Sequence, residues 1–272
     1  MNYKPVIPIG GNAGWAFLQR TREAQQAAFD QSAAIQRDTT YFEEKIGTIT
    51  TAADLVDDRR LLGVALGAFG LDADIDNKFF IQKLLQEGTS NDEAFANKLS
   101  DKRYFAMAEA FGFGELKLPD TLRAGFGAEI TESYRDRQFA IAVGDQDENM
   151  RLALGVDGDI ADITARVSTE DGLWFAVMAN PPLRSVFEKA LNLPSSVGTL
   201  DVDRQLRLFR DQAARIFDQT SVRAFADPEL QDRLIQRFLV RAQLDGGSAA
   251  TLPGSVALSL LQSSGGTAGL LV

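Results

Sequence analysis

Four groups of side chains in this sequence have types and spacings that could do chemistry. Arg60 and Arg103 take corresponding places in two similar phrases, RRLLGVALGAFGL and KRYFAMAEAFGF, and Tyr104 adjoins the second. A guanidinium offers paired N–H donors that clamp a carboxylate or phosphate. These three residues are therefore candidate contacts for a small anionic ligand held between the two phrases. The ordinary alternative is that the arginines pair with nearby Asp57, Asp58 and Asp101. Arg233, Arg237 and Arg241 recur every fourth residue beside Leu230, Leu234 and Phe238, so they share one face of a helix. Such a stripe either meets an acidic partner or is simply a solvated face.

The other two groups are carboxylates. Glu129, Glu132 and Asp136 fall on one helix face and could ligate a metal or serve acid–base work. Carboxylate-only sites are uncommon, and a solvated acidic edge is the plainer reading. Asp72, Asp74 and Asp76 begin like a calcium loop. Asn77 then stands where the loop needs glycine, and Lys83 where it needs a bidentate glutamate. These aspartates are expected to cap the helix that follows. No catalytic, cofactor-binding or metal-ligating residue is assigned.

The absences narrow the chemistry further. The chain has no histidine and no cysteine. Ser-His-Asp and Cys-His catalysis are excluded, as are zinc sites built on either residue, disulfides and the Glu-x-x-His di-iron pattern. A glycosidase-like carboxylate pair would survive this loss, but the expectation is a protein that is not an enzyme. The net charge of −10 disfavours nucleic acid as a partner. No stretch reaches the roughly 18–20 apolar residues of a membrane span, and the N-terminus lacks the basic start and apolar run of a cleaved signal. The expected location is the cytoplasm, with export by a signal-less route left open.

The elements that would position these residues are helices. Residues 1–12 carry Pro5, Pro8, Gly10 and Gly11 and should be extended. Apolar spacing predicts helices over 13–29, 32–46, 77–86, 101–113, a long one over 121–143, and 170–179, 201–217 and 228–244. Trp15, Leu18, Arg22, Gln25 and Phe29 form a thin stripe on the first; Leu206, Phe209, Ala213 and Ile216 form a coiled-coil-like seam on another. Either could pack inward or mediate self-association, so a homo-oligomer stays open. Thr51 and Ser90-Asn91-Asp92-Glu93 read as capping boxes, and Asp227-Pro228 as a strong helix start. Residues 145–171 hold eight acids and two arginines, threaded by Met150, Leu152, Leu154, Ile160 and Ile163, and should fold as short helices.

Fainter copies of the Arg60 phrase at 98–114 and 183–194 suggest repeated helical hairpins. The expected fold is all-α, a compact array of many short antiparallel helices. One domain spans 13–245, with a candidate subdomain break near 115–120. Residues 246–272 have no charge and form a tail, with 256–261 packing back on the domain.

The phrases GWAFLQRTREAQQAAFD, FEEKIGTITTAADLVDDRRLLGVALGAFGLDADIDNKFFIQKLLQEG, LSDKRYFAMAEAFGFG, NPPLRSVFEKALNLP and LDVDRQLRLFRDQAARIF resemble the bacterial domain-of-unknown-function family numbered 1217, over about Gly14 to Leu244. The resemblance implies a helical protein whose genes often lie among flagellar genes. It implies no catalytic or binding residues. It points to a non-enzymatic structural or interaction protein with a flagellar protein partner; the alternative is a small-ligand-binding regulatory module.

Overall fold

The computed structural model describes residues 3–247, and among them the chain is all-α, with helices joined by short turns and no strand. In order these are α1 (Gly11–Asp30), α2 (Ala33–Lys45), α3 (Ala52–Asp57), α4 (Arg59–Ala68), α5 (Lys78–Glu87), α6 (Phe95–Lys98) and α7 (Lys102–Phe111). Then come α8 (Phe126–Gly144), α9 (Glu148–Arg166), α10 (Glu170–Met178), α11 (Pro181–Ala190), α12 (Val202–Phe217) and α13 (Pro228–Gly247). The last helix runs slightly past the expected start of the tail. The expectation for 256–261 lies outside the described residues.

Short polar side chains start these helices by satisfying first-turn N–H groups. Thr51 Oγ1 accepts from Asp54 N at 3.1 Å. Asp58 accepts from Arg60 N and Leu61 N at 2.9 and 3.1 Å. Asp101 and Asn180 do the same for Arg103 N and Leu183 N. Helices α4, α7 and α11 each have ten residues, an Asp or Asn cap, and a left-handed stop at Gly70, Gly112 or Asn192. After α4 and α11 the chain folds back in the same way, Leu71 N to Leu66 O at 2.9 Å and Leu193 N to Glu188 O at 2.8 Å. The likeness ends there. Helix α4 packs on α8 and α2, α7 on α5 and α6, and α11 on α13 and α9.

Three local expectations need correction. The long helix begins at Phe126 and not at 121: Asp120–Leu122 is a 3-10 turn, Gly125 is left-handed, and Thr121 Oγ1 is spent on Ile49 O at 2.6 Å. The acidic stretch forms one 19-residue helix, α9, before α10, because α9 is packed against α8, α11 and α13. The expected box at Ser90–Glu93 does not form. Asn91 Oδ1 instead takes Glu93 N at 2.9 Å, and the Glu87 carboxylate takes Phe95 N at 2.7 Å, which leaves α6 only four residues.

The core runs continuously beneath these helices. Trp15, Leu18, Gln25 and Phe29 are buried, as are Leu206, Phe209 and Ala213, so both thin stripes pack inward. Trp174 is fully buried, donates Nε1–H to Thr220 O at 2.8 Å, and meets Phe187 edge-on at 5.6 Å. Phe187 in turn meets Phe225 edge-on at 5.1 Å, which ties α10 and α11 to the turn before α13. Among the described residues no helix is long and apolar enough to cross a membrane.

Candidate functional site

Helix α7 turns Phe105 and Glu109 toward the C-terminal end of α9, where Ile163, Arg166 and Val167 stand. Phe175 and Met178 of α10 and Val202 at the start of α12 complete a groove of about 690 Å³. Its walls are joined directly: Arg166 pairs with Glu109 at 3.2 Å, and Lys102 N donates to Ala179 O at 3.4 Å. The floor is apolar and the rim is polar, with Lys98, Lys102, Arg166 and Arg184 set against the single carboxylate Glu109 among the lining residues. Arg184 is committed to Glu188 at 2.6 Å and Gln205 at 2.8 Å. Lys98 and Lys102 are less tied: an exposed pair to Glu93 and a contact to Asn97 O. A groove of this composition receives apolar side chains and steers anions at its edge.

The chain that carries α6 and α7 leaves and rejoins the scaffold at one close point. Gly88 and Gly114 touch backbone to backbone, and a Cβ on Gly114 would fall 2.2 Å from Gly88 N. Thr89 closes this point by donating N–H and Oγ1–H to Glu115 Oε1 at 2.8 and 2.9 Å.

A second groove, of about 580 Å³, lies along α8 and α9 beyond the end of α4. Asp159 lies buried at its base. Arg137 donates to Asp159 at 3.2 Å and to Ala68 O at 2.9 Å, and Asn180 also hydrogen-bonds the buried carboxyl. Burial pushes Asp159 upward, against the pull of Arg137. Arg103 reaches the same groove and clasps Asp101 through Nε and Nη2, the latter at 2.7 Å, while Nη1 donates to Gly70 O. Arg137, Asp159 and Asn180 were not singled out from the sequence. The available signal was an acid within the apolar stripe of α9, between Val156 and Ile160.

The sequence candidates for anion contact do not converge. Arg60 lies elsewhere, over the Tyr41 ring at 4.3 Å and paired with Asp38 at 3.1 Å. Tyr41 gives its hydroxyl to Asp58 at 2.6 Å, and that hydrogen bond raises the phenol pKa. Tyr104 donates to Asp74 at 2.7 Å and stands edge-on to Phe80. Its pKa is pushed up to about 12, first by burial and then by Asp74. The expected arginine pairing therefore holds for Asp101 and Arg103, whereas Arg60 takes Asp38.

The expected capping by the loop aspartates is also replaced. Asp72 accepts from Gln138, Asp74 from Tyr104 and Asn77, and Asp76 pairs with Arg59. Glu129 is held by Arg123 in two contacts of 2.6 Å. Glu129, Glu132 and Asp136 are all exposed, with Glu129 and Asp136 at the edge of the second groove. Among the described residues no group of three acids could hold a metal ion. On α13, Arg233 lies 5.9 Å over the Phe217 ring, Arg237 donates Nε–H to Ala190 O at 2.7 Å, and Arg241 makes no ion pair among the described residues.

The profile of the family described as "Protein of unknown function (DUF1217)" matches residues 68–230, so the chain belongs to that family. No curated protein matches it. The crystal structure of protein AGR_C_984 from Agrobacterium tumefaciens is similar over 89% of this chain and 99% of its own, at 26% identity and a TM-score of 0.70.

Proposed function

We propose, taking membership of this family as the premise, that the protein is a non-enzymatic interaction or structural protein of the bacterial flagellar system. The flagellar setting comes from the family resemblance. The protein-binding part rests on one observation, the apolar groove of about 690 Å³ with lysines on its rim. Its occupant is an amphipathic helical segment of a partner protein. Apolar side chains of that segment enter between Phe105 and Phe175, and its carboxylates meet Lys98 and Lys102. Nucleic acid is not the expected partner, given the net charge. The protein works in the cytoplasm or, once exported, at the flagellum.

The test is a gene deletion complemented with the wild type or with Phe175→Asp, read as swimming and as hook and filament assembly. Deletion should impair both, and the groove variant should fail to restore them although it folds. A deletion strain that swims and assembles like its parent removes the flagellar reading. A second reading, a regulatory module for a small anion, is favoured by Arg103 and Arg137 lining the second groove. A thermal-shift screen of anionic metabolites with no rise in Tm would count against it.

A further inference from the structure

Cations are distributed unevenly over this chain. From Arg37 to Arg184 every arginine has a carboxylate within ion-pair distance. Outside that range Arg210 and Arg223 pair with Asp171 and Glu170, but Arg20, Arg22, Arg204, Arg207, Arg215, Arg233, Arg237 and Arg241 pair with no carboxylate among the described residues. Of these, Arg215, Arg233, Arg237 and Arg241 come together where α11 and α12 end against α13. Arg237 reaches the last carbonyl of α11, and its charge neighbours are Arg241 and Arg215. Burial and these two cations hold the Arg237 pKa below its ordinary value, and no carboxylate offsets them. Lys189 of α11 joins the group 5.9 Å over the Phe238 ring.

This is a built surface. Arg233 and Lys189 rest on the aromatic rings of Phe217 and Phe238, and Arg237 is fixed by a carbonyl, so their positions are set before a partner arrives. The acids on these helices, Glu188 of α11, Asp203 and Asp211 of α12, and Glu229, Asp232 and Asp245 of α13, make no ion pair with them among the described residues. Leaving like charges together costs stability, and an incoming anion removes that cost.

We propose that Arg215, Arg233, Arg237 and Arg241, with Lys189, form a docking face for an acidic segment of a partner protein, separate from the apolar groove. The chain as a whole is negative, so a long polyanion is repelled at a distance while a short acidic segment meets only the local positive face. Val240, 43% exposed on the same helix, gives the face an apolar edge that suits a peptide better than a phosphate backbone.

The test uses the full chain and a fluorescein-labelled peptide repeating Glu-Glu-Gly, which has no apolar side chain for the groove, read by fluorescence anisotropy at low and physiological salt. The peptide should bind in a salt-dependent way, and its Gln-Gln-Gly counterpart should not. Arg237→Glu combined with Arg241→Glu should weaken binding by about tenfold or more. Exposed Arg215→Glu, checked for a native tryptophan spectrum, should weaken it without any question of folding. Phe175→Asp in the groove should leave it unchanged, which separates this face from the groove reading. The proposal is overturned if the glutamine peptide binds equally, or if the arginine variants bind as well as wild type. It is also overturned if duplex DNA or phosphatidylserine vesicles bind more tightly than the acidic peptide.

Discussion

Arg103 and Arg237 are both half-buried, and each reaches a carbonyl at the end of a ten-residue helix. Arg103 donates to Gly70 O beyond α4, and Arg237 to Ala190 O at the end of α11. Their charge surroundings are opposite. Asp101 outweighs burial and raises the Arg103 pKa, whereas burial, Arg241 and Arg215 lower that of Arg237. The same anchor thus serves two ends. A guanidinium with its own carboxylate closes the scaffold. A guanidinium among other cations keeps an unmet demand for an anion.

The comparison breaks most readily at Asp159. Asp159→Ala leaves the Arg137 guanidinium without its carboxylate and should cost about 3–5 kcal/mol, seen in urea unfolding. Next is Asp101→Ala, which removes both the α7 cap and the partner of Arg103; a loss of about 1–2 kcal/mol is expected. A loss under about 0.5 kcal/mol would show that Arg103 is no better neutralised than Arg237.

Tyr104→Phe deletes the hydroxyl that holds Asp74 and should cost about 1 kcal/mol at neutral pH. Its folded pKa of about 12 is above the unfolded value of about 10. The stability it contributes is therefore complete below about pH 10 and is lost as pH rises through about 12. Wild type should lose stability across that window, and Tyr104→Phe should lose less; Tyr134, also pushed up to about 12 by burial, and Tyr41, raised by its hydrogen bond to Asp58, add to the slope. The smallest effect belongs to the unpaired face. Arg241→Ala should stay within about 0.5 kcal/mol of wild type in the same urea series. A larger loss would mean that the cation has a structural role after all.

Helix starts were legible because they depend on a few adjacent residues: Thr51 and Asp227 both cap as their spacing implies. Ser90–Glu93 misled because Glu87, from the preceding helix, reaches Phe95 N and decides where α6 begins. The long α9 was hidden by its glycines and acids; packing on three sides holds together what local preference would interrupt. The apolar groove was illegible for a different reason. Its floor joins Phe105, Ile163 and Phe175, each an ordinary half-core position in its own helix, with the exposed Val202. The arginine stripe on α13 was visible, but Arg215 and Lys189 join it only through tertiary structure.

The close approach of Gly88 and Gly114 has a consequence for how the molecule opens. Everything from Thr89 to Phe113 leaves and rejoins the scaffold at one stapled point. That segment is a closed loop whose release requires withdrawing Phe111 from Phe69 and Phe126 and breaking the contacts of Arg103 to Gly70 O, Tyr104 to Asp74 and Glu109 to Arg166 together. In hydrogen exchange its protected amides should therefore behave as one cooperative unit, less stable than the α8–α9 centre. One wall of the apolar groove would then detach as a block, and the groove would open by hinging and not by widening side chain by side chain.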